Sequence, residues 1–277
     1  MLGHRGRGCT FAGVALVAWG LAGAPLLADH DHDHEHDPAD EGALGEVHFA
    51  VSCAGQQAAF DHAVALLHSF GYERAEQAFR AIAAVKPDCG MAEWGVAMSN
   101  FHVVWGPPTD AELARGQEAA RKARELSSPD ARERDWIDAI GRFYLEPARR
   151  PHAERVHAFA DAMAGLAAKY PDDHEVQIFD ALALLGVAYN SPPDKTYARQ
   201  KQAAEILGRM LRLEPRHPGV AHYMIHSFDY PELAPLAVDA ARAYARIAPD
   251  SPHALHMPSH IFTRLGLWDD SIASNLA

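Results

Sequence analysis

From Gln56 onward, apolar and polar positions alternate with a helical period. Ala59, Phe60, Ala63, Val64, Leu66 and Leu67 make one apolar stripe; after Gly71, a second runs through Ala75, Ala78, Phe79 and Ile82 until Pro87 stops it. Two stripes separated by a short break predict a helical hairpin. A second hairpin begins 34 residues later at Gly90, its first helix carrying Met91, Trp94, Ala97 and Phe101. The register then slips. Trp105-Gly106-Pro107-Pro108 is a break, Thr109 or Asp110 can cap a helix reaching about Leu126, and Pro129 marks another break. Helices are expected over 132–144, 152–170 and 175–189, then, after Ser191-Pro192-Pro193-Asp194, over 196–213. Pro215 and Pro249 again lie 34 apart, so regular units resume at Pro218 and Pro252, each proline in the first turn of its helix, where the missing N–H costs nothing. The pattern predicts an all-α helical-hairpin repeat solenoid, a right-handed superhelix with irregular central repeats.

The same 34-residue offset relates two histidine pairs, His222 with His226 and His256 with His260. Residues i and i+4 share a helix face, so stacked hairpins would bring four imidazoles, and His253 as a fifth, onto one wall. Imidazole binds borderline transition metals at neutral pH, and zinc needs three or four donors within about 2.0–2.2 Å. The expected metal set is His222, His226, His256, His260 and His253, for zinc or copper, with Asp229 able to orient the shell. The competing reading makes them ordinary residues that hydrogen-bond one another, Tyr223 or Asp229. Pro258 complicates the second pair, because a proline inside a helix removes a hydrogen bond and clashes with the preceding turn. If the helix starts at Pro258, His253 and His256 lie on an irregular approach. No His-Glu-x-x-His, Gly-x-Ser-x-Gly or phosphate-binding glycine loop is present, so no catalytic residue is assigned.

Residues 1–28 have the basic start and apolar run of an export signal, with cleavage after Ala28. Residues 29–46 open with alternating acid and histidine and carry Pro38; this segment is expected to be disordered, its histidines collecting metal weakly. The repeat domain is then 47–277, and it stops inside the last expected hairpin, as a fragment would. A periplasmic or secreted location follows, and in an oxidising compartment Cys53 and Cys89 suggest one disulfide, two free thiols being the alternative. The formal charge of −12 over 277 residues argues against nucleic acid, and no later apolar run is long enough for a membrane span.

Ala63, Ala75, Phe79 and Pro87 fall at the small, small, aromatic and proline positions of the tetratricopeptide repeat. With Val51-Ser52-Cys53, Leu66-Leu67-His68-Ser69-Phe70, the run from His217-Pro218-Gly219 through His226, and Pro252-His253-Ala254-Leu255-His256-Met257-Pro258-Ser259-His260-Ile261-Phe262, the chain resembles a group of bacterial exported tetratricopeptide-repeat proteins. The resemblance implies the repeat fold and no activity. By register it implies a concave ligand groove lined by Asp229, Tyr230 and Arg264 beside the histidines, and by His68 and His102 earlier. Three functions remain open: a groove that binds a metal, a metal-free adaptor for a protein or peptide partner, and a metal-dependent enzyme.

Overall fold

The computed structural model describes residues 43–277; the expected export signal and the histidine-rich tract 29–41 lie outside the described residues. Among the described residues the regular structure is all helical. The elements are α1 (Gln57–His68), α2 (Tyr72–Val85), α3 (Gly90–Ser99), α4 (Asp110–Leu126), α5 (Ala131–Phe143), α6 (His152–Lys169), α7 (His174–Tyr189), α8 (Ala198–Leu213), α9 (Pro218–Phe228), a 3-10 turn (Ala234–Ala237), α10 (Val238–Ile247), α11 (Pro252–His256), α12 (Pro258–Arg264) and α13 (Trp268–Leu276). Local chemistry sets the helix starts. Thr109 and Glu112 form a reciprocal capping box on α4, Asp130 and Asp173 accept the first free N–H groups of α5 and α7, and Ser251 does the same for α11.

Consecutive helices pack against one another along the chain. The even-numbered helices α2, α4, α8 and α10 bury one stripe and expose the rest, whereas every residue of α3 and α9 is buried. A helix apolar all round must be covered on all sides. Coverage comes from an inner layer in which α1 touches α3, α3 touches α5, α7 touches α9, and α9 returns to touch α1. The open concave groove expected from repeat register is therefore closed, and His68, His222 and His226, expected to line it, are buried.

The segment before α1 helps fill that interior. Phe49 is fully buried among Phe60, Trp94, Trp136 and Phe179, with ring centroids 5.3, 5.2, 5.0 and 6.5 Å away. Its backbone is held as a peptide ligand's would be: Phe49 N–H donates to Asp61 Oδ1 at 2.8 Å, Gln57 Nε2 donates to Phe49 O at 2.8 Å, and Arg132 Nη1 donates to Ala50 O at 2.9 Å. Further upstream, Glu46 N–H donates to Arg216 O at 3.0 Å, and Leu44 is buried. Gly45 adopts φ +93° with Arg216 O only 2.8 Å from where a Cβ would sit, so no other residue fits there without strain. Residues 43–46, assigned above to the disordered tract, are thus placed against the helices at Arg216 and Asp250.

A disulfide joins Cys53 to Cys89, Cα atoms 5.4 Å apart, tying the end of this segment to the start of α3. Pro258 does break its helix, although not into an irregular approach. The chain is helical from Pro252 to His256, Met257 keeps helical angles (φ −56°, ψ −34°), and α12 starts at Pro258. Beyond it, α13 exposes Trp268, Ile272 and Leu276 at successive four-residue steps.

Deleting the anchoring ring tests the role of the entering segment. Phe49→Ala should lower unfolding free energy by about 3–5 kcal/mol, the usual cost of removing a fully buried phenylalanine. Urea denaturation followed by circular dichroism measures it; an unchanged midpoint would mean that the segment adds nothing to the core.

Candidate metal centre

Helix α9 presents His222 and His226 inward, one turn apart, and the Ser251-capped start of α11 brings His253 against them. His226 Nε2 lies 3.1 Å and His253 Nε2 2.9 Å from His222 Nε2, and all three nitrogens fall within 4.8 Å of one another. Two nitrogens bound at 2.0–2.1 Å to a tetrahedral ion stand about 3.3 Å apart, so the two separations from His222 need only a few tenths of an ångström of adjustment.

Hydrogen-bond chemistry fixes what these nitrogens can be. His222 Nδ1 lies 2.6 Å from the backbone carbonyl of His68, and a carbonyl only accepts, so Nδ1 carries the proton and Nε2 of the neutral ring is a bare lone pair. One lone pair accepts one good hydrogen bond, yet two histidine nitrogens face it. Nor do the rings relieve this by charging. Burial, reinforced by His226 and His253, holds His222 well below the usual histidine value; burial, with His253 and His260, pushes His226 down to about 3; burial and the neighbouring His256 and His260 push His253 down to about 4. Three converging neutral imidazoles, one with its tautomer locked by a carbonyl, are the donor set of a transition-metal site.

His256 and His260 do not join the trio as a single four-histidine wall would require. They face each other across the Met257–Pro258 step, Nε2 to Nε2 at 3.1 Å, with His256 exposed and His260 partly so. Because Met257 stays helical, their i, i+4 relation survives the proline. Asp229 stands behind this pair: His260 Nδ1 donates to its Oδ2 at 2.9 Å and Arg264 Nε to its Oδ1 at 3.0 Å. Burial alone would raise the Asp229 pKa, but these two partners outweigh it and keep the carboxylate ionised.

A second buried group, His68, Glu175 and His217, could also hold an ion. His68 Nε2 is 3.0 Å from Glu175 Oε2 and His217 Nε2 is 2.9 Å from Glu175 Oε1, while His68 Nδ1 faces the Tyr223 hydroxyl at 2.8 Å. Here each facing pair joins a donor to an acceptor, so the three side chains form a hydrogen-bonded network in which His217 Nδ1 alone is buried without a partner. Burial opposes the Glu175 charge, yet the two histidines hold its pKa well below the usual carboxylate range; His68 itself is lowered by burial despite Glu175. Neither Glu175 nor His217 was picked out as a ligand from the sequence. His217, directly before the helix-starting Pro218, was the available signal; Glu175 reads there as an ordinary first-turn acid.

The remaining expected groove residues are dispersed. Tyr230 packs on Tyr197 and accepts from Gln200. His102, at φ +53°, lines a cavity of about 490 Å³ with Phe70, Tyr72, Trp105 and His253. Phe70, also at φ +53°, lies with its ring 4.3, 5.5 and 5.4 Å from those of His222, His226 and His253. Positive φ is costly for a bulky side chain, and here it buys the metal candidates an aromatic wall. Against known proteins, the chain matches no family model and no curated sequence.

The depressed histidines set a pH dependence. Above pH 6.5 the rings are neutral folded and unfolded; as pH falls below that, the unfolded chain takes up protons that the native His226 refuses until about pH 3. Stability should therefore fall with pH, by about 2 kcal/mol at pH 5 from His226 alone. Denaturant titration at pH 7.5 and 5.0 with a chelator present measures this loss, and His226→Leu should reduce it; equal stability at both pH values would contradict neutral buried rings.

Proposed function

We propose that this is an exported tetratricopeptide-repeat-type protein that binds a zinc or copper ion through His222, His226 and His253. The observation that carries the reading is the lone pair of His222 Nε2, fixed by the His68 carbonyl and faced at 2.9 and 3.1 Å by two further histidine nitrogens. Three imidazoles leave a coordination position for water or a ligand, the pattern of reactive rather than purely structural zinc sites. Periplasmic or secreted residence is supported by the basic and apolar start of the sequence and by the Cys53–Cys89 bond. The helical hairpins, the 34-residue offsets and the resemblance to exported repeat proteins support the fold assignment. The adaptor reading has less behind it, because the inner surface that would receive a peptide is filled by the chain's own residues 43–53.

Binding is tested on the full chain with His30, His32, His34 and His36 replaced by alanine, which silences the N-terminal tract. Titration with zinc against a chromophoric chelator should give a tight site, and saturating zinc should raise Tm; a ligand at one hundred times its Kd adds about 2.7 kcal/mol. His253→Ala, partly exposed and tolerable to the fold, should weaken that site at least 100-fold, with His222→Ala as the stronger variant. Zinc affinity and Tm shift unchanged by both variants would refute the assignment.

A further inference from the structure

Resting on the metal reading above, we propose that the chain holds a second transition-metal ion, bound by His256 and His260 at the protein surface. The argument is again one of protons. Asn275 Nδ2 donates to Ser271 O at 2.8 Å, which fixes its amide orientation and makes Oδ1 an acceptor. His256 Nδ1 lies 2.7 Å from that oxygen and must donate to it. His260 Nδ1 likewise donates to the carboxylate of Asp229, whose other oxygen is taken by Arg264. With Nδ1 of each ring committed as a donor, the two Nε2 atoms face each other across 3.1 Å. Two bare nitrogens at that distance repel unless a proton or a metal ion stands between them, and 3.1 Å is close to the span that one tetrahedral ion imposes.

The pair also has the outer support that metal-bound histidines normally have, a carboxylate behind one ring and an amide oxygen behind the other. It differs from the trio in exposure: His256 is open to solvent, so this ion would keep two or more positions for water or a ligand. It also lies near the first, since His253 and His256 share α11. The arrangement is one enclosed three-histidine site and one open two-histidine site, the open one binding more weakly because it has fewer protein donors.

Zinc stoichiometry on the chain lacking the four tract histidines separates the sites. The parent should bind two ions, a tight one and a weaker one. His256→Ala/His260→Ala should lose the weaker ion and retain the tight one; His253→Ala should do the reverse. Asn275→Leu, an exposed change that leaves both ligands in place, should weaken the second ion about 10–100-fold, as loss of an outer-shell partner does, without moving the first. A parent that binds one ion, lost equally on replacing His253 or His260, would overturn the second site in favour of a single shared one. One ion lost only with His253→Ala would overturn it while sparing the first. A weak ion lost only with His260→Ala, without any tight ion, would overturn the three-histidine reading and leave the open pair standing.

Discussion

The junction of α1 with α7 and α9 runs through His68, and much of the interior depends on it. Its carbonyl accepts the Nδ1 proton of His222, its own Nδ1 faces the Tyr223 hydroxyl, and its Nε2 faces Glu175. Gly219 makes this approach feasible: a Cβ there would stand 2.6 Å from His68 Nδ1. Because the inner layer closes at this point, a repeat scaffold that could present an open groove has a filled centre instead. The same contact locks the His222 tautomer, so closure of the fold and readiness of the candidate metal site are one arrangement.

The local layer of this structure was legible in the sequence. The cap expected at Thr109 or Asp110 is Thr109, and the expected 152–170 and 175–189 helices match α6 and α7 to within a residue at each end. The i, i+4 histidine pairs were legible for the same reason, as spacing on one helix survives whatever the helix packs against. Closure of α9 on α1 was not legible, because it joins residues more than 150 positions apart, as in His68 and His222. Neither was the role of Phe49, a single aromatic residue in a non-helical stretch with no period to mark its inward direction. Glu175 was hidden for a related reason: its first-turn position explains it fully until the two distant histidines are seen on either side.

Register also misled in an instructive way. Equivalent places in two hairpins share a wall only if the helices that carry them keep the same orientation. His253 and His256 lie together on α11, ahead of Pro258, and their three-residue spacing aims His253 at His222 while His256 faces Asn275 and His260. Rotation along α11 thereby divides a five-histidine set into an enclosed group and an open one.

That division has an electrostatic consequence for the proposed centre. A divalent ion held by three neutral imidazoles keeps its full charge in a buried place, and burying uncompensated charge is expensive. The Asp229 carboxylate is already paired with His260 and Arg264, and Glu175 is engaged by His68 and His217. Compensation would then come from the remaining coordination position, which would suit an anionic group of a ligand. The aromatic wall of Phe70 strengthens that preference by lowering the local dielectric. On this reading the enclosed site would be selective by charge, favouring one negative group over a neutral one.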